Sequence, residues 1–199
     1  MSNEPLMTSD VTPPPSPVRT PRARRGGRAL LEWVVILLVA VAVSFVVRAY
    51  AFQTFFIPSG SMEPTLLIGD RIVVDKLSVD FGSIHRGDIL VFRAPPTENC
   101  GGVPVTDLVK RVVGLPGDVL TSRGNTIYVN GKPFAENWPH NEPLGPPIGH
   151  VVVPANHYFM MGDNHNNSCD SRSWGPIIRS EIIGKAFMRI WPLNRIGSL

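Results

Sequence analysis

The sequence has little cysteine and lacks the common metal-binding patterns. Its two cysteines, Cys100 and Cys169, are too few for a metal cluster or a disulfide framework. The five histidines are scattered and contain no HExxH pattern, so no zinc site of that kind is predicted. We therefore expect no metal cluster built from these residues.

Most of the chain also lacks an excess of charge of either sign. Up to Ala51 there are six basic and three acidic residues, and the remainder has thirteen of each. The formal net charge of +3 therefore lies entirely in the amino-terminal quarter, and no surplus of basic residues remains for binding nucleic acid. Nucleic acid is not expected as a partner.

The usual motifs of a serine hydrolase with a histidine base are missing as well. There is no GxSxG sequence, and none of the histidines stands in a recognisable catalytic motif. A lysine can replace histidine as the base, but its amine must be neutral to accept a proton. Such a lysine must be buried, because burial lowers its pKa toward neutrality.

Long apolar runs are absent except over residues 29–47, where Glu32 is the only charge. As a helix this segment would span roughly 28 Å, about one hydrocarbon core. The preceding arginines predict a cytoplasmic amino terminus by the positive-inside rule. We thus predict a disordered Pro/Arg-rich cytoplasmic tail (1–28), one transmembrane anchor (29–51) and an extracytoplasmic β-rich domain (52–199).

A cleaved signal peptide is the alternative to an anchor. The sequence Ala49-Tyr50-Ala51 has the small-x-small form of a cleavage site. However, the apolar run is longer than that of a typical signal peptide, and Arg48 lies between the run and this small-x-small sequence. These features favour an uncleaved anchor.

After the anchor no long amphipathic helix is found, and the pattern predicts a mainly antiparallel β domain. Short β-prone runs alternate with Gly and Pro turns, and Asn130-Gly131 is a typical two-residue hairpin turn. The proline-rich segment, residues 133–150, shows no alternation and is predicted to lie outside the sheet. The predicted strands fall at 72–74, 88–92, 108–113, 126–129 and 157–161.

Two residues are candidates for a catalytic pair. Ser61 follows Gly60 in a turn that Pro58 and Pro64 stiffen, and Gly60 permits close approach of a substrate. Lys110 lies within the apolar run Leu108 to Val113, which could desolvate its amine. Considered alone, the Ser61 motif could be a polar turn without chemistry. Lys110 alone could be a strand lysine that faces solvent.

A third polar segment, residues 162–172, follows the apolar strand at 157–161. It consists mostly of turn-forming residues, so a long turn without chemistry is the simplest interpretation. It is nevertheless dense in hydrogen-bonding groups. Ser168 could orient a lysine ammonium, and Asp170 could pair with Arg172.

Four blocks in this order, after an apolar segment, resemble the bacterial type I signal peptidases. These are membrane-anchored Ser/Lys endopeptidases of peptidase family S26, and the resemblance covers roughly residues 30–192. The blocks are Pro58-Ser59-Gly60-Ser61-Met62-x-Pro64-Thr65-Leu66, Gly87-Asp88-Ile89 with Val91-Phe92, Lys110-Arg111-x-Val113-Gly114-Leu115-Pro116-Gly117-Asp118, and Gly162-Asp163-Asn164 through Ser168-x-Asp170-Ser171-Arg172.

The resemblance implies a role for each matching residue. Ser61 would be the nucleophile and Lys110 the general base. The Ser61 amide and the Ser59 hydroxyl would form the oxyanion hole. Ser168 would hold the Lys110 amine, and Asp170 and Arg172 would support that arrangement. Shallow pockets for small substrate side chains would be lined by Ile57, Met62, Leu66, Ile72 and Val109.

The resemblance also implies a substrate and a location. Signal peptides of exported preproteins would bind as an added strand and be cut after an Ala-x-Ala motif, on an antiparallel, barrel-like β domain. The enzyme would need no cofactor. It would contact the lipid bilayer of the cytoplasmic membrane directly and the protein export machinery only indirectly.

Two features of this chain depart from the family pattern or add to it. His165 stands where Arg usually follows Gly-Asp-Asn, and no catalytic role is assigned to it. Cys100 and Cys169 lie on segments that lead toward Lys110 and Ser168, so a disulfide that joins two active-site segments is predicted.

Other functions remain open at this point. A catalytically inactive, membrane-tethered β domain that binds exported proteins is the alternative from a different class. A self-cleaving Ser/Lys repressor would have a DNA-binding helix-turn-helix in place of the anchor. A signal peptidase of the archaeal or endoplasmic-reticulum type would have His in place of Lys110.

Overall fold

The computed structural model describes residues 25–98 and 106–199. The chain separates into an amino-terminal unit that ends at Val43 and a second unit, Ser44–Leu199. The first helix, α1, covers Arg25–Ala51. Two short helices follow, α2 at Leu77–Phe81 and α3 at Ser171–Trp174.

Helix α1 contains the apolar segment that the sequence predicts as an anchor. Over Leu30–Val47 it is long and apolar enough to cross a membrane, and no other helix of the described residues is. It begins at Arg25 and so includes the last four residues of the predicted tail. Residues 1–24 lie outside the described part, and the three-part division of the chain stays a prediction.

The second unit is mainly antiparallel β, which confirms the predicted fold class. Two sheets contain its strands, and every strand pairing within them is antiparallel. The strands are β1 (Phe52–Phe56), β2 (Arg71–Asp75), β3 (Ile89–Arg93), β4 (Asp107–Gly114), β5 (Val119–Arg123), β6 (Thr126–Val129), β7 (Lys132–Pro133), β8 (Val151–Val152), β9 (His157–Met161), β10 (Ile177–Ile178), β11 (Ile182–Trp191) and β12 (Gly197–Ser198).

The larger sheet has the strand order β1-β2-β11-β3-β4-β9-β10, with β12 paired to β11. The smaller sheet has the order β7-β6-β5-β8. Strand β4 is thus an inner strand, hydrogen-bonded to β3 on one side and to β9 on the other. This position brings the lysine-bearing strand beside the segment that follows β9.

All five predicted strands form, and the Asn130-Gly131 turn is confirmed. Both turn residues have positive φ, 54° and 77°, as a type I′ hairpin requires. The proline-rich segment lies outside the sheets apart from Pro133, which ends β7. It packs inward nonetheless, because Leu144 and Ile148 belong to a buried apolar cluster with strands β5, β6 and β9.

Both faces of the larger sheet are covered where β3 and β4 pair. On one face Leu90 and Phe92 pack with Val112 in a buried cluster. On the other, Ile89 and Val91 pack in a second cluster with Ile57 and other residues near the serine turn. From Lys110 onward β4 is buried on both faces, so a charged side chain in this part of the strand is desolvated whichever way it points.

Candidate active site

Lys110 is the predicted base, and the structure buries it. It lies opposite Leu90 in the β3–β4 pairing and is only 3% exposed. Its Nζ donates a hydrogen bond to Ser61 Oγ at 2.6 Å. The two residues are 49 positions apart in the sequence, and the fold joins them as a nucleophile and a base must be joined.

Burial lowers the pKa of Lys110 from 10.5 to about 8. The carboxylates of Asp170 and Asp163 act in the opposite direction, because a nearby negative charge favours the ammonium form. The desolvation effect is the larger one. A substantial fraction of the amine is therefore neutral in mildly alkaline solution and able to accept a proton.

The serine turn connects β1 to β2 and is anchored by apolar side chains. A short 3-10 turn covers Gly60–Met62, and the Met62 side chain is buried beneath it. The Ser61 carbonyl accepts the amide N–H of Asn164 at 3.1 Å, and the Asn164 side-chain Nδ2 donates to the Gly60 carbonyl at 3.0 Å. Both bonds tie the serine turn to the segment after β9.

Ser59 and Ser168 lie on either side of the pair. Ser59 is exposed, with its Oγ 3.4 Å from Ser61 Oγ. A side chain at Gly162 would clash with both the Ser168 hydroxyl and the Ser61 carbonyl oxygen, so these two groups pack closely against the backbone of Gly162. Ser168 Oγ is buried and makes no hydrogen bond within the described residues. A bond to the Lys110 amine, which the resemblance implies, is not among those that the structure forms.

Asp170 and Arg172 form the predicted ion pair. Arg172 donates Nε to Asp170 Oδ1 at 2.8 Å and NH2 to Oδ2 at 2.6 Å, and both side chains are buried. Asp170 also accepts the Gly162 amide at 3.2 Å. This pair therefore fixes the backbone of the segment that touches Ser61.

A second buried ion pair was not assigned from the sequence. Arg111 donates Nε and NH2 to the two oxygens of Asp163 at 2.8 and 2.7 Å, and a third donor reaches the Gly87 carbonyl. Thr65 Oγ1 donates to Asp163 at 2.5 Å. These residues join all four of the sequence blocks. The sequence contains a signal for this pair. Arg111 lies inside an apolar strand and would need a buried anion, and Asp163 of another block could supply it.

An open cleft of about 870 Å³ runs past the pair, with Ser59, Ser61, Lys110 and Ser168 in its lining. The predicted pocket residues divide into two groups. Ile57, Met62 and Val109 line the cleft, whereas Leu66 and Ile72 are completely buried in the apolar cluster behind it. In this structure Leu66 and Ile72 therefore support the pocket wall and do not face the cleft.

The remaining predicted residues are placed as follows. His165 is buried and points away from the pair, toward the proline-rich segment. Cys169 belongs to the cleft lining, and Cys100 lies outside the described residues, so the disulfide stays a prediction. Within residues 25–98 and 106–199 no group of three or more His, Cys, Asp or Glu side chains could hold a metal ion.

A mainly antiparallel β fold with a serine hydroxyl beside a buried lysine has the character of a serine hydrolase that uses lysine in place of histidine. Comparison with known sequences agrees with this class. The family described as signal peptidase, peptidase S26, matches residues 30–191. The chain therefore belongs to the signal peptidase family S26.

Individual relatives match over most of their length. The signal peptidase I of Leptolyngbya laminosa is 36% identical over 204 residues, which cover 100% of this chain and 97% of that protein. The probable signal peptidase I-2 of a Synechocystis strain is 42% identical over 171 residues, 85% of this chain and 77% of its own. A signal peptidase I of Mycobacterium tuberculosis is 34% identical, with 90% and 79% covered.

Proposed function

We propose that this chain is a membrane-anchored serine endopeptidase that removes amino-terminal signal peptides from exported preproteins, with Ser61 as nucleophile and Lys110 as general base. Membership of family S26 supports the activity. The 2.6 Å hydrogen bond from Lys110 Nζ to Ser61 Oγ, with the lowered pKa of that lysine, is the observation that supports the mechanism.

The reaction begins with Lys110 in its neutral form. Its amine takes the proton of the Ser61 hydroxyl as Oγ attacks the carbonyl carbon of the scissile bond. The resulting oxyanion is stabilised by the Ser61 amide and the Ser59 hydroxyl, a donor type typically worth about 3–4 kcal/mol. Lys110 then gives the proton to the leaving amine, and an ester between Ser61 and the signal peptide remains.

Deacylation uses the same base. Neutral Lys110 takes a proton from a water molecule, the hydroxide attacks the ester carbonyl, and Ser61 recovers its proton. Lys110 must therefore be neutral at the start of both acylation and deacylation. Its burial, which raises the cost of the ammonium form, is the physical basis of the mechanism.

Substrate selection follows from the cleft. An extended peptide would add as a strand and be held by backbone hydrogen bonds, while side chains at the −3 and −1 positions enter shallow pockets. Ile57, Met62 and Val109 line the cleft beside Ser61 and leave an apolar surface for small side chains such as alanine. We propose an Ala-x-Ala preference on this basis.

We further propose a location and an orientation. Helix α1 would anchor the chain in the cytoplasmic membrane, with the amino terminus inside the cell and Phe52–Leu199 outside. The lipid bilayer would be a direct partner and the export machinery an indirect one. In sealed inside-out vesicles of this membrane the catalytic domain should be protected from added protease, and digestion there would contradict the proposed orientation.

Cleavage of an Ala-x-Ala preprotein in detergent or lipid tests the function. Wild type should cut after the second alanine, and Ser61→Ala and Lys110→Ala should be folded and inactive. Activity that survives Lys110→Ala would mean that another residue is the base. A wild-type protein that binds preproteins without cutting them would support the tethered-binding alternative.

A further inference from the structure

The proline-rich segment meets the active-site segment through three ionisable side chains. Glu136 and His140 come from the proline-rich segment, and His165 follows the Gly-Asp-Asn turn after β9. The rings of His140 and His165 stack with centroids 5.1 Å apart and planes inclined by 20°. We name these three residues the His–Glu clamp.

The carboxylate of Glu136 faces the Nε2 atoms of both rings. Its Oε1 is 3.2 Å from His165 Nε2 and its Oε2 is 4.0 Å from His140 Nε2. The Glu136 side chain is 7% exposed and that of His165 is 2% exposed. Neither Glu136 Oε1 nor His165 Nε2 makes a hydrogen bond within the described residues, so the two buried atoms face each other at 3.2 Å with no other polar partner there. Glu136 therefore contacts both histidines from a largely buried position.

His165 is directly connected to the nucleophile turn. Its neighbour Asn164 donates its amide N–H to the Ser61 carbonyl and its side chain to the Gly60 carbonyl. On the other side of the connection, Asn141 of the proline-rich segment donates its amide to the Asp163 carbonyl at 2.8 Å. One peptide bond and the hydrogen bonds of Asn164 therefore separate His165 from the backbone of Ser61.

We infer that the His–Glu clamp positions the nucleophile, with Glu136 and His165 as positioning residues that hold Asn164, and through it Ser61, in register with Lys110. The inference rests on the proposed function for its kinetic consequence. His165 does not touch the reacting atoms and acts only through Asn164. The geometry that it protects is the 2.6 Å contact of the catalytic pair.

Surrounding charges fit this role. Arg172 donates NH2 to the His165 carbonyl at 2.8 Å, and its guanidinium is already neutralised by Asp170. Glu142 lies on the solvent side, 58% exposed, with its Oε1 4.0 Å from His140 Nε2. Glu142 is therefore a matched control for Glu136, because it is a carboxylate of the same segment that solvent can screen.

The kinetic test compares Glu136→Gln, His165→Gln, the double variant and the control Glu142→Gln in the full-length protein. Each single change at the clamp should lower kcat for preprotein cleavage about tenfold with KM changed less than about twofold, because a small misplacement of the nucleophile slows the chemical step. The double variant should lose no more than either single variant, since the two residues act as a unit. Glu142→Gln should match wild type.

Amide hydrogen exchange at Asn164 gives a readout that does not depend on activity. Glu136→Gln should make the Asn164 amide exchange faster, by about tenfold, and Glu142→Gln should not. A lower unfolding midpoint with unchanged kcat would show a structural role only and would overturn the inference. A loss of kcat with unchanged Asn164 exchange would overturn the proposed route. If wild type cuts nothing while Asn164 exchange still responds, the proposed function fails and the contact between clamp and turn stands.

Discussion

Lys110 and Arg111 are neighbours on β4, and both are buried, yet their surroundings differ. Arg111 holds Asp163 through two hydrogen bonds and is fully compensated. Lys110 meets the Ser61 hydroxyl, and no carboxylate within the described residues lies within ion-pair distance of its amine. Successive residues of a strand point to opposite faces, so one strand supplies both environments.

The difference shows how burial can have two outcomes for a cation. A buried arginine with a bidentate carboxylate keeps its charge and ties segments together. A buried lysine without a close anion reduces the cost of burial by losing its proton, and becomes a base. The following predictions test this comparison.

Replacing the proposed base, Lys110, by a permanent cation should have the largest effect. Lys110→Arg keeps a positive charge but cannot be deprotonated near neutral pH, so kcat/KM for preprotein cleavage should fall by at least roughly a thousandfold. Arg111→Lys is the control, because it retains the base and should lose far less activity. Comparable losses in both variants would mean that the two cations do not differ in role.

Removing one partner of the Arg111–Asp163 pair should strongly destabilise the fold. Asp163→Asn leaves a buried guanidinium without its anion and should lower the free energy of unfolding by about 3–5 kcal/mol. The double change Arg111→Met with Asp163→Leu removes both charges and should cost less. Denaturant unfolding of the full chain in detergent measures both, and a double variant less stable than Asp163→Asn would contradict this explanation.

Removing the buried amine should stabilise the protein in a pH-dependent way. Since the pKa of Lys110 falls from 10.5 to about 8 on folding, the unfolded chain binds more protons at this site between those pH values. The penalty is full below about pH 8 and disappears above about pH 10.5. Lys110→Met should therefore raise the free energy of unfolding by about 3 kcal/mol at pH 7 and by much less at pH 10.

Unfolding of Lys110→Met and wild type at these two pH values checks the prediction. A matched variant of an exposed lysine, Lys132→Met, should show no such pH dependence. An equal difference at both pH values would mean that Lys110 is not desolvated in solution.

Of the substitutions in these four predictions, Ser168→Ala should have the smallest effect. Its hydroxyl lies beside Ser61 and lines the cleft, but makes no hydrogen bond within the described residues. Ser168→Ala should lower kcat about tenfold if the hydroxyl holds the Lys110 amine during the reaction, as the family resemblance implies. Unchanged kinetics would remove Ser168 from the mechanism, and Ser173→Ala, another serine of the cleft lining, is the control.

The sequence was sufficient for the strands with a clear β pattern but not for the longest one. Strand β11 lies between β2 and β3, yet no strand was predicted there. Gly184 interrupts its pattern, and glycine usually weakens a strand. In the structure the backbone of Asp75 approaches so closely that a side chain at Gly184 would clash with it. The need for glycine at position 184 thus arises from β2, a strand more than a hundred residues earlier, and cannot be deduced from the sequence around Gly184.

The proposed catalytic pair could be singled out because both residues lie in short motifs, whereas their environment could not be predicted. Ser61 and Lys110 stand in recognisable blocks. The burial of Lys110 depends on what covers both faces of β4, and the placement of Leu66 and Ile72 behind the cleft depends on how the apolar cluster closes. The His–Glu clamp likewise arises from a segment whose sequence shows no periodicity. These are consequences of tertiary packing.

The pH dependence of kcat/KM for preprotein cleavage tests most directly whether neutral Lys110 is the base. Activity should rise with pH and reach half its maximum near pH 8, the pKa of Lys110 in the folded chain. A half-maximum near about pH 6.5, typical of histidine, that disappears when one of the histidines is replaced would contradict the assignment. So would a profile that is flat from about pH 6 to pH 9, because no group with the pKa of Lys110 would then control the reaction.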